Sequence, residues 1–215
     1  MKKYEFELNR YVLDIFFPKE RIKNKVQILN ILMEATRYIM PIPLNMKVEN
    51  SNKLILIIDK MSRFVFCTID KCYSITFPFM VNENDDKLSF SYDGMEVDSQ
   101  IISGVISIIK SESFDDKCSL DFVDPIYEFE NEFNENFWPF LKNLLLFEDG
   151  YIRRDRDEKG YLEAKAKGCE HKHPINHLDV FRSSRATFKI GLENEIDNNI
   201  FIDILDIKTD CKYLK

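Results

Sequence analysis

Glycine and proline are scarce, six and seven in 215 residues, so little of the chain is available as flexible linker. No run approaches the ~18 apolar residues of a membrane-spanning helix. The opening MKKYEFELNRYVLDIFF carries charges inside every apolar run, which argues against a signal peptide. A basic excess is also missing. The net charge of −7 speaks against a protein that coats nucleic acid. The five cysteines (Cys67, Cys72, Cys118, Cys169 and Cys211) include no CxxC pair, which argues against a disulfide framework or a four-thiolate zinc site. There is no GxGxxG, no P-loop and no GxSxG, so dinucleotide, nucleoside-triphosphate and serine-hydrolase schemes have nothing to stand on. The expectation is a cytoplasmic chain with no membrane segment.

What is present suits a packed core. Hydrophobic residues make up 45% and charged residues 31%, the balance of a globular protein. A single domain over residues 1–215 is expected, with an N-terminal helix and a β-meander in 1–124. A further helix and a β-rich site region follow in 125–215.

Residues 4–17 read as a strand or a first helix. Over 19–40, Ile22, Val26, Leu29, Leu32, Met33, Ala35 and Ile39 recur at helical spacing up to Pro41. A strand is expected at 44–48, then short β-rich runs at 53–58, 63–69, 71–79 and 87–92. Turn chemistry separates them at 59–62, 70 and 82–86, and Asp93-Gly94 is a hairpin turn. Residues 99–111 predict a buried helix, 119–123 a strand, and 125–147 a long helix that Pro139 kinks or divides. Strands are expected at 151–157 and 161–167, joined by a hairpin at 157–160, and again at 177–181 and 186–192. Residues 201–207 read as a strand or a helix. The class is α+β, an antiparallel sheet with two or three helices on one face.

Charge and histidine gather in one stretch. Residues 149–191 hold ten Lys/Arg against seven Asp/Glu, a local +3 in a chain whose remainder is −10, and all three histidines lie there. In His171-Lys-His173-Pro-Ile-Asn-His177-Leu-Asp179, an extended backbone puts His177 and Asp179 on one face, with Leu178 and Val180 pointing into the core. His173, His177 and Asp179 are therefore the candidate catalytic and metal-binding residues, two imidazoles and a carboxylate being a ligand set for a divalent cation. Arg153, Arg154 and Arg182 are the candidate phosphate binders, since a guanidinium fork grips two oxygens. The same run, Arg153-Arg154-Asp155-Arg156-Asp157, also reads as a solvent-exposed strand laced with salt bridges. Glu163-Ala-Lys165, with Asp149 upstream, has the outline of a restriction-type nuclease centre. Cys169 near His171 is a weaker pairing for a catalytic thiol.

The patterns GYIRRDRD, HPINHLDVF and ATFKIGL, across residues 150–192, resemble a bacterial family found near mobile elements and phage-defence genes. The resemblance implies a bacterial defence or toxin–antitoxin component working beside a protein partner, and it brings no established reaction. Two expectations follow. One is a non-enzymatic interaction or sensing subunit. The other is a metal- or histidine-dependent enzyme on nucleic acid or nucleotide, whose site residues converge on a wetted hollow lined with guanidinium groups.

Overall fold

The computed structural model describes residues 1–19, 22, 24–46, 48, 51–111, 114, 135–183 and 186–211, the side chains of Arg182, Ser183 and Ala186 excepted. The class is α+β, as the sequence predicts, with a seven-stranded antiparallel sheet and a three-stranded one. Contacts divide the chain into two compact units. The first is Met1–Asn9, Val48–Thr76 and Gly150–Lys215, and the second is Arg10–Lys47 and Phe77–Asp149. Among the described residues, no helix is long and apolar enough to cross a membrane.

The first unit holds the large sheet: β1 (Lys2–Glu7), β2 (Lys53–Ile58), β3 (Arg63–Cys67), β4 (Lys71–Thr76), β8 (Ile152–Arg156), β9 (Asn176–Ser183) and β10 (Ala186–Gly191), in that spatial order. Its strands β2 to β4 are branched and aromatic residues buried on both faces, which is why they read as continuous apolar runs. On one face Ile55, Val65, Leu178 and Cys72 pack with Phe201, the buried residue of helix α6 (Asn198–Ile204). Cys67 and Cys72, opposite each other in the β3–β4 register, are joined as a disulfide. Screening for CxxC spacing overlooks a pair that the tight turn between β3 and β4 brings together.

The second unit holds α1 (Arg10–Phe16), α2 (Lys25–Ile39), α3 (Ser99–Ile109) and α4 (Phe137–Leu146), with β5 (Met80–Asn84), β6 (Lys87–Tyr92) and β7 (Met95–Glu96). Helix α2 begins at Lys25 rather than at residue 19 because the Asn24 side chain accepts from the Gln27 amide and caps it. Residues 4–17 are neither strand nor helix alone, but β1 followed by α1.

Several expectations fail for local reasons. Residues 44–46 and 48 form no strand; Leu44 donates a lone backbone bond to Asp86 within a turn. Asn82, Glu83 and Asn84, read as turn, belong to the exposed strand β5, and the turn is confined to Asp85 and Asp86, both at positive φ. Pro139 sits in the first turn of α4, where its missing N–H costs nothing. Residues 161–167 are not a strand, and 157–160 is not a hairpin. They form helix α5 (Glu158–Ala166), capped by Asp157. Its far end is a Schellman motif, with Gly168 at φ +66° donating to Lys165 and Cys169 donating to Ala164. The strand expected at 119–123, and the part of the long helix in 125–134 with Phe129 and Phe133, lie outside the described residues.

Candidate functional site

Strands β8, β9 and β10 bring one polar group together through register alone. Arg153 lies opposite Asp179, and Asp179 opposite Lys189; one row along, Asp155 lies opposite His177. Because residues two apart share a face, all five side chains project to the same side of the sheet. The Arg153 guanidinium reaches Asp155 at 2.5 Å and Asp179 at 2.7 Å. The Lys189 ammonium lies 3.1 Å from Asp179 Oδ1 and also bonds His177 Nε2. Two carboxylates face two cations, and so the buried charge balances.

The His177 side chain is fully enclosed, 0% exposed, and Asp179 is 2% exposed. Their partners fix the imidazole tautomer. An ammonium can only donate, so Nε2 accepts from Lys189; a carbonyl can only accept, so Nδ1–H donates to Pro174 O at 2.9 Å. Burial, reinforced by the nearby Lys189 charge, pulls the imidazole below its ordinary pKa, and His177 is neutral at pH 7. The nearest part of the same face is aromatic: Tyr73 stacks on Phe66, and Tyr151 packs against both Tyr73 and Phe181. Burial pushes the Tyr151 phenol up to about 12, with Arg153 opposing and Asp155 and Asp179 adding.

The sequence-predicted residues divide. His177 and Asp179 do converge and share a face, as expected, but on a buried network rather than a wetted hollow. Leu178 packs in the core on the other face. His173 is not in the network. Its Nε2 bonds Asp157 at 2.9 Å, beside the α5 cap, although its ring stands edge-on to His177 at 5.1 Å. The Gly160 amide and His173 hold the Asp157 carboxyl below its usual range, against the opposing effect of burial. His171 is exposed on the 3-10 turn Glu170–Lys172.

Arg153 belongs to the network, but Arg154 points to the opposite face. There it donates to Ile196 O at 2.8 Å and to Asn198 at 3.0 Å. The expected salt bridges are there, but the expected exposure is corrected for all but Arg156: Arg154 is 5% and Asp155 9% exposed. The Arg182 side chain lies outside the described residues. Glu163 and Lys165 are exposed on helix α5, where residues two apart point in different directions, so the E-x-K geometry of adjacent strand positions is absent. Asp149 pairs with Lys25. Cys169 Sγ bonds the Ala164 carbonyl, turning to its own helix end.

Two members were missed: Asp155 and Lys189. Each has the right alternation for the polar face, but the strand register that brings them to His177 and Asp179 has no local signal. Asp155, His177 and Asp179 each offer an atom that could ligate a metal ion, all within 4.8 Å of one another, so the group that could hold an ion has Asp155 where His173 was expected. Comparison with protein-family models, with curated proteins and with solved structures gives no match to this chain.

Proposed function

We propose that the chain is a non-enzymatic interaction or sensing subunit of a bacterial antiviral-defence or toxin–antitoxin complex, acting in the cytoplasm beside a protein partner. The observation that carries the non-catalytic part is the burial of the polar network. Arg153, Asp179, His177 and Lys189 are bonded to one another, and the imidazole is sealed from solvent. A general base needs hydrogen-bond reach to a substrate proton, and a phosphate binder needs a guanidinium not already committed to carboxylates. The unit also exposes large apolar side chains that suit a partner surface, Leu162 on α5 (62%) and Phe188 on the edge strand β10 (54%).

A metal-dependent hydrolase of nucleic acid or nucleotide draws weaker support. Of its expected parts, His173 is bonded to Asp157, Arg154 to Ile196 and Asn198, and Arg153 to two carboxylates.

Co-expression with the products of neighbouring genes, followed by size-exclusion chromatography with light scattering, tests the reading. The expected result is a stable complex that Leu162→Glu or Phe188→Glu breaks while the melting temperature holds. A chain that stays alone in this experiment overturns it. So does metal-dependent phosphodiester turnover that His177→Ala abolishes.

A further inference from the structure

We propose that Asp155, His177 and Asp179 form an enclosed site for one first-row divalent cation of the Mn²⁺-to-Zn²⁺ class, and that the Lys189 ammonium stands in for that ion. The inference concerns the chemistry of the network and does not depend on the existence of a partner.

The donor set comes first. Two carboxylates and one imidazole are the mixed oxygen–nitrogen ligands that Zn²⁺ and Mn²⁺ accept. Ca²⁺ asks for six to eight oxygens, and Cu⁺ selects sulfur. The three ligand atoms already lie within 4.8 Å of one another. Metal–ligand bonds of ~2.0–2.2 Å separate neighbouring donors by ~3.4 Å, so the set closes on an ion by contracting at most about 1.4 Å.

The second point is the imidazole. Its Nδ1–H is spent on the Pro174 carbonyl, which leaves the Nε2 lone pair directed into the network. Metal-ligating histidines are held in this way by a backbone acceptor on the far nitrogen. Opposite His177 in the register is Gly191, where a Cβ would press to 3.0 Å on the Pro174 ring. The missing side chain thus keeps Pro174 where it orients the imidazole.

A third, independent observation is an orphaned atom. Asp155 Oδ1 is buried and makes no hydrogen bond, although the residue is only 9% exposed. Buried carboxylate oxygens are nearly always matched, and an unmatched one on a member of the donor set is what a cation would use.

The fourth is the ammonium. Lys189 bonds Nε2 of His177 and lies 3.1 Å from Oδ1 of Asp179, two of the three donors, so a positive charge already sits at their focus. It arrives from the edge strand β10 on a flexible stem and is 23% exposed, so it can swing outward to water. Arg153 stays behind on Asp155 and Asp179 and offsets part of their charge, which weakens the affinity without removing a ligand atom.

The ammonium and the ion compete for the same donors, and this gives the proposal a test of unusual sign. Chelator-stripped protein is titrated calorimetrically with ZnCl₂ and MnCl₂, with CaCl₂ as control. Co²⁺ is followed by its visible absorption. One Zn²⁺ per chain is expected. Lys189→Met should bind Zn²⁺ at least ten-fold more tightly, and His177→Gln and Asp155→Asn should abolish binding. A purely structural ion network predicts the reverse, a Lys189→Met protein that is destabilised and takes up no metal. His171→Ala, at the exposed histidine, should leave binding unchanged; loss of binding there would mean a surface ion and overturn the proposal. If Lys189→Met fails to fold, the wild-type Co²⁺ spectrum and its loss in Asp155→Asn decide. A wild-type chain showing neither Zn²⁺ heat nor a Co²⁺ band also overturns the proposal.

Discussion

Asp179 has the most to lose from a change of charge. It is all but sealed, and it faces both Arg153 and Lys189. Removing one partner of a buried pair costs roughly 3–5 kcal/mol when the other charge is trapped. Arg153 and Lys189 keep some contact with water, so Asp179→Asn should cost less, about 2–3 kcal/mol by urea unfolding. A loss under ~0.5 kcal/mol would mean that the network contributes nothing to the sheet. Tyr151 makes a prediction at alkaline pH. Its phenol titrates at the ordinary 10.0 in the unfolded chain and at about 12 when folded. The unfolded chain therefore releases its proton first. The associated stability is fully present below pH 10 and is lost as pH rises toward 12. Tyr151 should contribute about 1 kcal/mol of the fall between pH 10 and 11, burial of the Tyr73 phenol adding a loss of its own, and Tyr151→Phe should remove the first share while leaving the pH 7 value nearly unchanged.

Helix α5 shows how an element can be held by its ends. None of its residues is buried, so packing supplies little. The Asp157 carboxylate accepts from the Gly160 amide at 2.8 Å with one oxygen and contacts His173 with the other. Asp157→Ala should cost about 1 kcal/mol locally, read as faster amide exchange across Glu158–Ala166. Gly160→Ala carries an inverted expectation. Alanine is ordinarily worth ~1 kcal/mol over glycine inside a helix. Here the new Cβ would lie 2.4 Å from both Asp157 Oδ2 and His173 Nε2, pushing apart the contact that fixes the cap. The melting temperature should fall rather than rise. The sequence carried the signals for this helix: an Asp cap, Glu158 in the first turn, Lys165 in the last and Gly168 beyond it. A strand reading of residues 161–167 passes over all four.

At the scale of the molecule, the sheet is built from three separated segments of chain. Strands β8, β9 and β10 all come from Gly150–Lys215, as does Phe201, which fills the core on one face. A fragment ending at Asp149 loses three of the seven strands and leaves β4 without the partner that pairs Lys71 to Ser74. It also leaves Ile55, Val65 and Cys72 uncovered by Phe201. The expected outcome is a fragment that aggregates or runs as an expanded species, with no cooperative melting transition by circular dichroism. A monomeric fragment with a sharp transition would mean that β2, β3 and β4 form a stable sheet without their neighbours.

The sequence by itself determined the α+β class, the strands β2, β3, β4 and β6, the helices α2 and α3, and the β8, β9 and β10 strands that carry the polar stretch. Those follow from periodicity and turn chemistry, which act over a few residues. It also singled out His177 and Asp179, whose alternation on one strand is local. Tertiary structure decided the rest of the network. Arg153, Asp155 and Lys189 meet that pair only because antiparallel register sets β8 and β10 on either side of β9. Strand alternation alone turns Arg154 to the opposite face, but the backbone carbonyl and the asparagine that hold it there come from a later segment of the chain. Burial was the last thing decided. A charged, alternating strand looks the same in sequence whether it faces water or a matching set of charges, and only neighbours brought from elsewhere in the chain make the difference.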